Sequence, residues 1–163
     1  MMEKRILSNS DAQAKAEAKQ IERFKEKFQL ADLQYSADKD SPLILHFQSE
    51  PAVTISPDFY SESADVIGEV HTHYGKMRVG QRHKLAADIL KMLSFEQDLG
   101  RTLKKYIIVC SQEEERYLKG NSYIAKAARQ NAIEIVRIPL DNDTEAKVRR
   151  AMKEQDLRSE TTN

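Results

Sequence analysis

Cysteine occurs once in the 163 residues, at Cys110. A lone thiol excludes an internal disulfide framework and fits a reducing compartment. No stretch approaches the roughly 18 consecutive apolar residues that a membrane span requires. The segment from Met1 to Leu7 carries Lys4 and Arg5 but no apolar run of a secretory signal. Net charge is missing as well, because 26 basic side chains meet 26 acidic ones. That balance excludes the highly charged, weakly hydrophobic composition of disordered chains. It also speaks against a uniformly basic coat for nucleic acid. Internal repeats and linkers are absent. The expectation is one cytoplasmic domain over residues 1–163, with ragged ends at 1–9 and 158–163 and no membrane partner.

What is present in quantity is charge, at 32% of residues against 40% hydrophobic. Soluble domains average about 25% charged, so a small core under a charged, helix-rich surface is expected. The neutral total hides a division along the chain. Residues 1–30 sum to +2, 31–69 to −7, 70–105 to +5 and 106–163 to zero. An acidic block that closes at Glu69 is followed at once by a basic block. Clustered carboxylates beside clustered cations suit a metal ion next to a phosphate track. They equally suit two solvated faces that offset each other.

Ser10-Asp11-Ala12-Gln13 has the pattern of a capping box. The helix after it places Glu17, Ile21, Phe24 and Phe28 on one face, and Glu17 is out of character on that apolar stripe. Asp38 to Pro42 reads as a turn, Leu43–Phe47 as a strand and Val53–Ile55 as a shorter extended piece. Pro57-Asp58-Phe59-Tyr60 leads through a polar turn to a strand over 65–73. Gly75 to Gly80 is a basic loop. Gln81–Phe95 is an amphipathic helix with Leu85, Ile89, Met92 and Leu93 as its stripe. Tyr106–Cys110 is a continuous apolar run, as in a strand buried on both faces. Ser111-x-x-Glu114 caps a short helix, Ser122–Gln130 forms another with Asn131 as a left-handed cap, Ile133–Ile138 is a strand and Asp143–Leu157 a last helix. The order implies an α/β fold with a mixed sheet flanked by helices. Tyr106, Tyr123 and Cys110 read as packing residues, and Glu113–Glu115 as acids favoured by a helix N-terminus.

Side chains alternate faces along a strand. Asp65, Ile67, Glu69, His71 and His73 therefore share one face, and Val66, Gly68, Val70 and Thr72 the other. The helix that follows sets Gln81, Lys84 and Asp88 in one line beside its apolar stripe. Three chemistries are open. Asp58 and Glu69 suit Mg²⁺, a hard cation that takes carboxylate oxygens. His71 and His73 suit Zn²⁺ with an open position for water. Without a metal, the histidines form an ordinary polar sheet edge.

Pro57-Asp58, ten residues, then Glu69-Val70-His71 resembles the motif of the PD-(D/E)xK phosphodiesterases, the restriction-endonuclease-like superfamily. The stretch from Val66 through Lys91 and the Lys-Lys-Tyr-Ile-Ile-Val-Cys strand resemble its nuclease-like members, and the likeness of element order covers most of residues 10–140. The resemblance implies a restriction-endonuclease-like αβββαβ core and a nuclease that uses Mg²⁺ or Mn²⁺. It implies Asp58, Glu69 and the Val70 carbonyl as metal ligands, and nucleic acid, DNA above all, as partner. It also admits a homodimer. The family lysine falls on His71, a departure. An imidazole can act as a base, and Lys76 or Lys84 would then supply the lasting positive charge. Phosphate contacts fall to Lys76, Arg78, Gln81 and Arg82, catalysis to Asp58, Glu69, His71 and Lys84, and an outer carboxylate to Glu17 or Glu22. If no lysine takes the place, the chain is a non-catalytic binding or assembly module on the same fold. Gly-Glu-Val-His-Thr-His also resembles the His-x-His of JAMM zinc isopeptidases. Tyr74 replaces that motif's proline, and Leu85-Ala-Ala-Asp88 lacks its serine.

Overall fold

The computed structural model describes residues 9–36 and 40–161. Its elements in chain order are α1 (Asn9–Lys27), β1 (Gln34–Tyr35), β2 (Leu45–His46), β3 (Thr54–Ile55), β4 (Phe59–Ser61), β5 (Val66–His71), α2 (Val79–Leu99), β6 (Lys104–Val109), α3 (Gln112–Leu118), α4 (Tyr123–Gln130), β7 (Ile133–Arg137) and α5 (Asn142–Glu160). Among the described residues no helix is long and apolar enough to cross a membrane.

Five strands form one mixed sheet in the order β1-β4-β5-β6-β7. β1, β4 and β5 run antiparallel in turn, and β5, β6 and β7 run parallel. The Tyr106–Val109 run lies in β6, whose residues from Lys105 on are all buried, as a strand covered on both faces must be. One face carries α2: Leu85, Ile89, Met92 and Phe95 pack on Ile67, Ile107 and Val109, with Leu118 and Ile124 of α3 and α4 beside them. The other face carries α1, where Phe24 stacks within 5.0 Å of the Phe28, Phe59 and Tyr106 ring centres. The α5 side chain Val148 joins Ala16 of α1, Tyr74 and Cys110 in a third apolar group.

The helix starts obey local chemistry. The Ser111 and Ser122 hydroxyls accept from the third residue onward at 3.2 and 3.1 Å, and Asp141 does the same for α5 at 2.8 Å. Gln81 Oε1 accepts from Arg78 N at 2.8 Å, so α2 begins at Val79, two residues before its expected start. Gly100 ends α2 with a left-handed φ of 67°.

Several expectations are corrected. The main sheet takes Gln34–Tyr35 and Phe59–Ser61 as its first strands, whereas Leu45–His46 and Thr54–Ile55 pair in a separate two-stranded ribbon. Pieces of two or three residues carry no readable period. Ser10 lies inside α1, and Gln13 donates to the Thr72 carbonyl at 2.9 Å instead of closing a capping box; the Ser10 side chain lies outside the described groups, as does part of the Asp38–Pro42 turn and of the ends. β5 is an interior strand with both faces buried, so it is no polar sheet edge. Asn131 is not left-handed; the reversal falls on Ala132, at φ 53°. Tyr123 is 74% exposed at the start of α4.

Gly68 is the one glycine whose missing side chain makes room for a ring. A Cβ there would lie 2.0 Å from Phe59 Cζ, and Phe59 is fully buried. Gly68→Ala is expected to cost about 1–3 kcal/mol by overpacking, read as a lower urea midpoint with an unchanged slope.

Candidate functional site

The site is assembled from β4, β5, α1 and α2. Asp58 stands just ahead of β4, and its Oδ2 accepts from Val70 N at 2.7 Å, which holds it against the adjacent strand. Glu69 points from β5 toward α2 and is 3% exposed. There it meets Lys91, whose Nζ lies 2.8 Å from Glu69 Oε1, 3.3 Å from Asp88 Oδ1 and 3.4 Å from the Ser56 carbonyl. Asp88 is buried one turn earlier on the same helix, and its Oδ2 has no hydrogen-bond partner. Glu17 reaches the group from α1, close enough for Asp58, Lys84 and Asp88 to shift its proton affinity.

The electrostatics follow from this crowding. Burial raises the Glu69 pKa, and the charges of Asp58 and Asp88 raise it further. Burial likewise raises Asp88 against the pull of Lys91 and Lys84. Burial works against the Lys91 ammonium, but Glu69 and Asp88 outweigh it and hold its pKa above the usual lysine range. The 2.8 Å contact of Lys91 Nζ with Glu69 Oε1 is an ion pair, set among carboxylates that raise one another's proton affinity. Glu17 is pushed up to about 7, by burial first and by Asp58 second. Among the described residues, no three His, Cys, Asp or Glu side chains are arranged to hold a metal ion as they stand; Lys91 bridges Glu69 and Asp88 instead.

His71 and His73 do not act as a pair. His71 Nδ1 bonds to Glu114 Oε2. His73 Nε2 meets the Lys76 carbonyl at 3.2 Å, where the nitrogen must donate, and burial lowers its pKa. Their ring centres are 6.1 Å apart. Glu114 lies in the first turn of α3, as expected of an acid at a helix start, and is fully buried there. It also accepts from His73 N at 3.2 Å and from Cys110 N at 3.4 Å, tying the ends of β5 and β6 to α3. Cys110 behaves as a packed thiol, with its pKa raised to about 12 by burial.

A cleft of about 870 Å³ opens beyond the carboxyl end of β5, and Asp58, Glu69, Asp88 and Lys91 are not among the residues that line it. Lys76, Arg78, Arg82 and Lys84 line it, with Gln81 and His71. Thus the expected phosphate contacts do gather on one cleft. Two are already engaged: Gln81 caps α2, and Arg78 holds Asp156 of α5 at 2.6 and 2.9 Å. Lys84 connects the cleft to the acidic group through its effect on Glu17 and Asp88.

The residues are therefore sorted as follows. Asp58 and Glu69 come together, with Val70 of β5 donating its N–H to Asp58. The lysine that reaches Glu69 is Lys91, neither Lys76 nor Lys84. Glu17 faces the group, whereas Glu22 accepts from the Tyr35 hydroxyl. Lys91 was within reach of the sequence pattern, since the line Gln81, Lys84, Asp88 continues by helical spacing to Lys91. Glu114 was signalled as the last residue of the Ser111-x-x-Glu114 cap, but not as the partner of His71. Comparison with protein-family models, curated proteins and solved structures finds no match to this chain.

The Glu17 shift gives a stability test. Its folded pKa of about 7 exceeds its ordinary value of 4.5, so the folded state holds the proton more tightly. The stability from that proton is complete below the ordinary value and is lost as pH rises through about 7. Glu17→Gln cannot lose it. Urea unfolding at pH 5 and pH 8 is expected to show the variant gaining on the wild type at the higher pH.

Proposed function

We propose that this protein is a divalent-metal-dependent nuclease that hydrolyses phosphodiester bonds of nucleic acid, DNA foremost. The observation that carries the reading is the meeting of Asp58, Glu69 and Lys91, linked through Lys84 to a cleft that Lys84 lines with Lys76, Arg78 and Arg82. A carboxylate pair and a lysine are the three functions of the PD-(D/E)xK motif that the sequence resembles, with the lysine supplied from α2 rather than from β5. The order α1, β1, β4, β5, α2, β6, with the first three strands antiparallel and β6 parallel to β5, supports the restriction-endonuclease-like αβββαβ core.

The donor set fits Mg²⁺ or Mn²⁺. Carboxylate oxygens are hard ligands, Asp58, Glu69, Asp88 and Glu17 outnumber Lys91 and Lys84, and Asp88 Oδ2 is buried without a partner. Asp58, Glu69 and the Val70 carbonyl would hold the cation. When bound, it would supply an acidified water and offset phosphate charge. The chain's own groups do the rest. Lys91 keeps a positive charge beside Glu69 and steadies the oxygens of the phosphate under attack. Lys76, Arg82 and Lys84 hold neighbouring phosphates in the cleft. His71, fixed through Nδ1 by Glu114, has Nε2 left to accept or return a proton.

The zinc hydrolase reading draws less support, because His71 and His73 are bonded to separate partners. The non-catalytic reading on the same fold draws on the lack of a ready three-ligand group among the described residues.

The test is cleavage of single- and double-stranded DNA and RNA with Mg²⁺ or Mn²⁺. Wild type is expected to cut, and Glu69→Ala and Lys91→Ala to lose about a hundredfold or more. Lys76→Ala is expected to raise KM with kcat little changed. Undiminished cleavage by Glu69→Ala overturns the assignment. Salt-sensitive binding with no cleavage in either metal selects the non-catalytic module. Stoichiometric zinc lost in His71→Ala selects the zinc hydrolase.

A further inference from the structure

Among the described cleft-lining residues, Asp156 is the one acid in a basic surround. It does not sit there idly. Both terminal nitrogens of Arg78 donate to its two carboxylate oxygens, Nη1 at 2.6 Å and Nη2 at 2.9 Å. This fork-on-fork geometry suits a carboxylate and a phosphate equally, because each presents two oxygens at the spacing of the guanidinium donors. Arg78 N is meanwhile committed to Gln81, so the backbone of Arg78 is anchored at the start of α2 while its side chain spans the cleft to α5.

We propose that Asp156 holds, on Arg78, the place of a phosphate of the bound nucleic acid strand, and that binding exchanges the intramolecular carboxylate for the phosphate. The inference rests on the nucleic-acid reading of the cleft given above. Two properties of the pair support an exchange. It is partly open to solvent, with side-chain exposures of 61% and 44%, and exposed ion pairs are weak and screened by salt. Its replacement also carries a gain that Asp156 cannot match. A strand brings further phosphates to Arg82 and Lys84, which line the same cleft and have no ion pair to Asp156. Asp156 thereby sets a threshold. An isolated monoanion gains only what it displaces at Arg78, whereas a run of phosphates gains at several cations together. The substrate class that follows is a continuous phosphodiester chain rather than a mononucleotide.

The experiment is anisotropy of a short fluorescent DNA in EDTA, where binding is read without cleavage. Wild type, Asp156→Asn, Arg78→Ala and the double variant are compared, with Glu154→Gln on the same helix as the control for net charge. Asp156→Asn is expected to bind about fivefold tighter, the scale of an exposed ion pair. Arg78→Ala is expected to bind more weakly than wild type, and the double variant to bind as Arg78→Ala does. A mononucleotide is expected to compete better against Asp156→Asn than against wild type. Unchanged or weaker binding by Asp156→Asn overturns the proposal. So does tightening that persists without Arg78, or that Glu154→Gln reproduces. In those cases metal-dependent cleavage still stands or falls separately with Glu69→Ala. Loss of DNA binding and of cleavage in every protein overturns the nucleic-acid reading itself.

Discussion

The bond between Lys91 and Glu69 joins the centre of the sheet to the helix that covers it, and the remaining site geometry depends on it. Glu69 is nearly sealed from water in an interior strand. A carboxylate in that position loses its hydration and tolerates ionisation only with compensation. Lys91 provides part of it at 2.8 Å, and the same ammonium serves Asp88. Asp58, pinned to Val70 N, adds negative charge from the other side. Buried charge clusters of this kind often contribute no more stability than apolar residues of equal volume would.

The division of charge along the chain becomes a division in space. Much of the basic block does not reach the cleft at all: Arg101 pairs with Asp65 at 2.8 Å, and Lys105 is buried against Glu96 at 2.5 Å. Lys91 is drawn into the acidic group. The basic side chains at the cleft are Lys76, Arg78, Arg82 and Lys84, all from the loop after β5 and the first two turns of α2. Their neighbourhood to the carboxylates follows from the short connection between a strand that carries Glu69 and a helix that packs directly over it.

His71 stands two residues after Glu69, yet its ring is bound to Glu114, which belongs to a helix 43 residues further on. The parallel pairing of β5 with β6 sets His71 opposite Val109, so whatever follows β6 must meet whatever ends β5. A buried acid there satisfies one ring nitrogen and several strand-end groups at once.

Much of this was legible from residue order. The apolar run of β6, the stripe of α2, the serine caps of α3 and α4 and the pairing of Asp58 with the Glu69 strand are all local patterns, and local patterns act through backbone geometry and side-chain spacing that neighbours in sequence share. The sequence alone determined an α/β order of elements, a face for Glu69 and a segregation of charge. Tertiary structure decided what short or distant segments do. It paired Gln34–Tyr35 and Phe59–Ser61 into the main sheet, because strands of two or three residues exist only by virtue of their partners. It chose Lys91 over Lys76 and Lys84, and Glu114 over any acid near His71, because an ion pair is set by distance across the packed core and not by separation along the chain.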